Sequence, residues 1–239
     1  MLLFDRILRL IENEYRYECN VVYDRRETAM KYIFINPVVD NMYIKEELDQ
    51  LLLQNGYTRV GVEHDWHQIV KEKYKKTLEA TEKTVIDMRC PLAVATIEKY
   101  LTKQDSLMPE IDPILIHCGI EIANREDLKG KKKVITTPCD SLAVYGNKKQ
   151  LEDTVFISWK EFLKELNSSE TVNVKQLDES PIPPGYFKAL DAKVASISGP
   201  ETVEKYFKNQ QHQENDLVEM LYCKNGCNNG DGVLLNEQE

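Results

Sequence analysis

Apolar and polar residues alternate at helical spacing from the first residues. In MLLFDRILRLIENEY, Leu2, Leu3, Ile7, Leu8, Leu10 and Ile11 share a face opposite Asp5, Arg6, Arg9 and Glu12, which predicts an amphipathic opening helix. The pattern then changes period. VVY (21–23) reads as a short strand, and KYIFIN (31–36) as a longer one, because β-branched and aromatic residues crowd together before Pro37. Residues 43–53 carry Ile44, Leu48, Leu51 and Leu52 at helical spacing; Asn55-Gly56 stops them, and TRVGV (58–62) is the next strand. This β-α-β unit predicts parallel pairing.

The alternation continues. A charged helix over about 65–83 leads to the strand TVID (84–87), and Pro91 suits the first turn of a helix reaching about 101. Residues 104–109 read as a loop, 114–122 are apolar, and 133–137 form a strand ending at Pro138-Cys139. A strand at 154–157 and a helix at 159–166 come next. DESPIPPG (178–185) reads as an exposed loop, 193–198 as a strand, and Gly199-Pro200 opens a helix with Val203, Tyr206 and Phe207 on one face. The expected class is α/β: two lobes of mostly parallel sheet flanked by helices, about 1–110 and 111–239 of one domain.

The chain has 239 residues, 42% hydrophobic and 30% charged, enough to bury a core without disulfides. Its net charge of -9 argues against nucleic acid as a partner, and the basic run at 129–133 reads as a solvated strand entrance. No apolar stretch reaches the roughly 18–20 residues of a membrane span and no signal peptide is recognisable, so the expectation is a cytoplasmic protein that does not enter membranes. No phosphate-binding glycine loop or serine elbow is present.

Candidate chemistry lies in the six cysteines, Cys19, Cys90, Cys118, Cys139, Cys223 and Cys227. In a reducing compartment such a set points to metal or redox chemistry before disulfides. Cys90 and Cys139 each adjoin a proline where a strand-like run stops, and Cys223 and Cys227 form a C-x3-C in a Gly- and Asn-rich segment. Open α/β sheets place ligands at the C-terminal ends of their strands. Cys90, at a helix N-terminus, is expected to have a lowered pKa. Four thiolates suit zinc or an iron–sulfur cluster, and their spread from 90 to 227 argues against a zinc ribbon and for a cluster. Cys118 in His117-Cys118-Gly119 reads first as a small buried apolar residue, with an extra ligand or redox thiol as the sharper alternative. His64 and His67 read as surface or capping residues, and Asp178-Glu179 as solvated carboxylates.

These residues resemble the catalytic, cluster-bearing domain of iron-only ([FeFe]) hydrogenases and their non-catalytic relatives, which include eukaryotic iron–sulfur assembly and prelamin-binding homologues. The likeness runs along most of the chain: Ile35-Asn36-Pro37, the helix-turn-strand passage 51–62, Cys90-Pro91 with Ile97-Glu98-Lys99-Tyr100, Asp112-Pro113, Pro138-Cys139, the strand-Gly-helix of 196–207, and EMLYCKNGCNNGDG at 219–232. The last is similar to the family's terminal Glu-Val-Met-Ala-Cys-x-Gly-Gly-Cys-x-x-Gly-Gly-Gly signature and is the most specific. The resemblance implies that Cys90, Cys139, Cys223 and Cys227 hold one [4Fe–4S] cluster between two α/β lobes.

Two departures bear on activity. Arg89 stands where the family has a proton-relay cysteine, and Leu142 where it has a lysine that donates to a di-iron cyanide. An always-charged guanidinium does not shuttle protons and an apolar side chain donates no hydrogen bond, so a di-iron subsite and hydrogen chemistry are not expected. Glu219 resembles the family's proton-path glutamate. No ferredoxin-like cysteine run precedes the domain, so electrons would come from a redox partner such as a ferredoxin or flavoprotein. The expectation is a [4Fe–4S] electron-transfer or redox-sensing protein. The alternative is an iron–sulfur enzyme in which the cluster activates a small substrate with help from Arg89, His117, Cys118 or Glu219, or a hydrogenase with an unusual site; structural zinc in the same thiolates is the third reading.

Overall fold

The computed structural model describes residues 30–166, 174–175 and 177–227. The expected opening helix, the strand at 21–23 and Cys19 lie outside these residues. Two four-stranded sheets organise the rest, and every pairing within them is parallel. The first contains β1 (Lys31–Phe34), β2 (Tyr57–Arg59), β5 (Lys133–Thr137) and β6 (Thr154–Ser158) in the order β2-β1-β5-β6. The second contains β3 (Thr84–Ile86), β4 (Ser106–Leu107), β7 (Val194–Ser198) and β8 (Leu217–Leu221) in the order β4-β3-β8-β7. Each sheet takes two strands from before residue 110 and two from after it, so the sheets are not the two halves of the chain.

Helices intervene as the alternating pattern requires: α1 (Pro37–Met42), α2 (Lys45–Gln54), α3 (Trp66–Glu79), α4 (Pro91–Ile97), α5 (Ile114–Ala123), α6 (Asp140–Asn147), α7 (Trp159–Leu166) and α8 (Pro200–Lys208). Local chemistry sets their starts. The Asn36 side chain accepts from the Val38 and Val39 N–H groups at 3.0 and 3.2 Å, and Pro37 supplies the fixed φ of a first helical turn. Asp65 accepts from Gln68 N–H at 3.0 Å at the start of α3. Gly199 has φ +92 before Pro200, a left-handed conformation that favours glycine.

Three elements depart from the sequence reading. The helix α1 begins immediately at Pro37, because the Asn36 cap outweighs the strand preference of Val38-Val39. The expected loop at 104–109 contains β4, formed only because Ser106 and Leu107 align with Thr84 and Val85 of β3. The helix after Cys90 stops at Ile97 and tightens into a 3-10 turn, Glu98–Tyr100.

Of the four inner strands, β3, β5 and β8 are buried along their whole length, as expected of parallel sheet covered on both faces, while β1 is fully buried only at Ile33. Around the first sheet, Ile33, Leu48, Leu52, Trp159 and Phe162 form one cluster, and Ile116, Ile122, Ile135, Leu142 and Phe156 another. Around the second, Ile86, Ile97, Val203, Phe207, Val218 and Met220 pack together, with Val70, Tyr74, Val85, Phe187 and Leu217 in a separate cluster. The expected solvated strand entrance is corrected at one position: Lys133 is 2% exposed and its ammonium donates to the Leu128 carbonyl at 3.2 Å. The sheets meet through their helices, α4 touching α6 and α3 touching α5. No described helix is long and apolar enough to cross a membrane.

Candidate functional site

Cys90 follows β3, Cys139 follows β5 and Cys223 follows β8, so three thiols stand beyond the C-terminal ends of inner strands. Cys90 and Cys139 are the residues from which α4 and α6 start, both in extended backbone. Because α4 contacts α6, the two sheets bring these positions together. The Cys139 thiol lies in the electrostatic field of both Cys90 and Cys223, and the Tyr222 N–H donates to Cys90 Sγ at 3.5 Å.

The C-x3-C turn is seated on the Pro-rich segment. Cys227 N–H donates to the Ile182 carbonyl at 3.0 Å, and the Cys227 carbonyl accepts from Ser180 Oγ at 3.3 Å. Gly226, at φ +138, permits this approach, since a Cβ there would fall 2.4 Å from Ser180 Cβ. The expected exposed loop at 178–185 is therefore partly inward: Asp178 and Glu179 are exposed, as expected of solvated carboxylates, but Ser180 is buried. Among the described residues, no group of three or more His, Cys, Asp or Glu side chains is arranged to hold a metal ion. The four thiols supply a soft donor set suited to a cluster, whose ligands each take a different iron; Cys90, Cys139 and Cys223 share one neighbourhood.

The electrostatics at Cys90 correct an expectation. Burial pushes its thiol pKa up, against the lowering effect of N–H groups from Tyr222, Ala93 and Leu92. Cys139 is pushed up to about 12, mainly by burial, with the Leu142 N–H opposing and the charges of Cys90, Cys223 and Asp140 adding. The helix starts do aim N–H groups at both sulfurs, but removal from water outweighs them. Binding of a metal would have to displace these protons.

Arg89 is not available to a substrate. Its side chain is 8% exposed and lies between Asp87 and Glu219, both fully buried. Nε donates to Asp87 Oδ1 at 3.0 Å, and Nη2 donates to Asp87 Oδ2 and Glu219 Oε1, each at 2.8 Å. The guanidinium also sits 4.1 and 4.6 Å from the Tyr186 and Phe187 ring centroids. Burial lowers its pKa, but the two carboxylates outweigh that and hold it above its ordinary value. Glu219 is equally engaged, accepting from Gly185 and Tyr186 N–H and from Ser196 Oγ.

Other candidates separate from the thiols. His117 stacks on Trp66, ring centroids 4.8 Å apart, with Lys73 Nζ 3.5 Å from its Nε2; burial and then Lys73 lower its pKa. Cys118 is 6% exposed, and burial pushes its thiol up to about 12, the environment of a small apolar residue. His64 is exposed and pairs with Glu121, and His67 is exposed as well. Leu142 packs with Ile135 and Phe156.

Sequence reasoning missed Asp87 and Tyr186. An acid closing the apolar run TVID, two residues before an arginine, was the available signal for Asp87; Tyr186 had none, since its place depends on Glu219, which is 33 residues away. No family model matches the chain, and no curated protein matches it.

Proposed function

We propose that this protein holds one [4Fe–4S] cluster through Cys90, Cys139, Cys223 and Cys227 and acts in electron transfer or redox sensing, as a relative of the iron-only hydrogenase catalytic domain without its hydrogen chemistry. The observation that carries this reading is that Cys90, Cys139 and Cys223 each follow the C-terminal end of an inner strand in two parallel sheets joined through α4 and α6, with Cys139 in the electrostatic field of the other two. When bound, the cluster would supply one-electron chemistry at a potential tuned by burial and hydrogen bonds to sulfur. The chain contributes half-buried thiols, the Tyr222 N–H aimed at Cys90 Sγ, and a C-x3-C turn fixed on the Ser180–Ile182 backbone.

The residues at the departure positions support the absence of hydrogen chemistry. Arg89 keeps its proton between two carboxylates, and Leu142 faces an apolar cluster. The substrate-activating alternative is less well supported, because Arg89 and Glu219 already use their polar atoms on each other and on Asp87, Gly185, Tyr186 and Ser196. A redox partner such as a ferredoxin or flavoprotein would deliver the electrons.

Anaerobic reconstitution with iron and sulfide tests the reading. About four irons per chain, an absorption band bleached by dithionite and no hydrogen evolution after maturation with a di-iron source are the expected results. Zinc in place of iron, or no metal uptake, would overturn it, and robust hydrogen evolution would show that Arg89 and Leu142 do not disable the chemistry.

A further inference from the structure

We propose that Arg89 is the positioning residue of the thiol site: its guanidinium ties the end of β3, the side chain of Glu219 on β8 and the 185–187 segment into one unit, fixing the Cys223–Cys227 turn relative to Cys90. The proposal rests on the cluster reading for its functional meaning, but its geometry stands in the chain alone.

The connections can be followed atom by atom. Arg89 immediately precedes Cys90 and grips Asp87 with two prongs, Nε to Oδ1 at 3.0 Å and Nη2 to Oδ2 at 2.8 Å. Asp87 also accepts from the Arg89 backbone N–H at 3.0 Å and from Tyr74 OH at 3.3 Å, which anchors this end of β3 to α3. From the same guanidinium, Nη2 reaches Glu219 Oε1 at 2.8 Å. Glu219 lies four residues before Cys223 and accepts from Gly185 N–H at 2.8 Å, Tyr186 N–H at 2.9 Å and Ser196 Oγ at 2.7 Å.

The segment that Glu219 captures continues the one that seats Cys227 through Ser180 and Ile182. Cys90, Cys223 and Cys227 therefore all hang from one ion network, and Cys139 alone arrives from the other sheet. Among the described residues Arg89 is the one cation paired with these two fully buried carboxylates, so its removal takes away their ion-pair partner, the costly case. Lysine would restore the charge but not the planar fork that spans both partners.

The test uses the full chain, metal-free and reduced, with Arg89→Met, Arg89→Lys and Glu219→Gln. Amide hydrogen exchange is read at Gly185 and Tyr186, and maleimide labelling at Cys223 and Cys227, with the buried Cys118 as internal reference. In Arg89→Met, exchange at both amides and labelling of both cysteines should rise about tenfold or more while Cys118 stays protected. Arg89→Lys should recover less than half of the loss, and Glu219→Gln should free the same amides. Wild-type exchange and labelling in Arg89→Lys and Glu219→Gln would overturn the proposal, as would Cys118 labelling in parallel with Cys223 and Cys227, which would indicate general loosening. If Arg89→Met does not fold, the other two variants decide. If the wild-type chain takes up no cluster, the functional reading fails, while the exchange and labelling results still decide the role of Arg89.

Discussion

Single side chains at this site behave according to burial more than to sequence neighbourhood. Cys90 and Cys139 stand at helix starts, yet burial raises both thiols. Substituting Cys90, Cys139 or Cys223 by serine should abolish most iron uptake and the dithionite-sensitive band on reconstitution. Cys118→Ala should leave that band intact and cost only about 1 kcal/mol in urea unfolding, the effect of a small buried group. His212 offers a second residue-scale test. It is fully buried, stacked on Phe207, and among the described residues neither ring nitrogen has a hydrogen-bond partner. Burial lowers its pKa, with the Asp105 charge opposing. The unfolded chain takes up this proton near pH 6.5 and the folded chain only at lower pH, so the stability linked to His212 is full above about 6.5 and is lost as pH falls. His212→Leu should flatten the decline in urea midpoint between about pH 6.5 and 5; an unchanged slope would show that other groups carry it. The cysteine positions were legible in the sequence because proline and strand ends mark them, whereas Glu219, the second carboxylate on Arg89, is 130 residues away.

At the scale of elements, packing is tight where α5 and α6 meet β6. A Cβ on Gly119 of α5 would fall 2.4 Å from Phe156 Cζ, and one on Gly146 of α6 would fall 2.4 Å from Phe156 Cγ. Both glycines are present for lack of space, since Phe156 fills the gap that two small residues leave. Gly119→Ala and Gly146→Ala should each destabilise by about 1–3 kcal/mol by overpacking, and Phe156→Leu in either background should recover part of the loss in thermal melts. The helix α8 was legible from its apolar face and from Gly199-Pro200 at its start. The strand β4 was not, because two residues carry no period and Ser106-Leu107 becomes a strand only beside Thr84 and Val85. The helix α1 was missed for the opposite reason: one side chain, Asn36, settled the conformation of a Val-Val segment.

For the whole molecule, the order of strands matters more than their number. The chain lays down β1 and β2 in the first sheet, β3 and β4 in the second, β5 and β6 back in the first, and β7 and β8 again in the second. Neither sheet is complete until late in the sequence, and the central pairings β1–β5 and β3–β8 join distant segments. Separate fragments 1–110 and 111–239 should each lack cooperative thermal unfolding and regain it when mixed; independently folded fragments would contradict the interleaved arrangement. By itself the sequence determined the α/β class, the parallel sense of pairing and the proline-marked cysteines at strand ends, because these follow from local periodicity and local backbone restriction. Only the tertiary structure decided which strands share a sheet, which thiols become neighbours, that Arg89 is enclosed by Asp87 and Glu219, and that burial overrides the helix start at Cys90. Those outcomes depend on contacts across tens to more than a hundred residues and on exclusion of water, neither of which is written in any short stretch of chain.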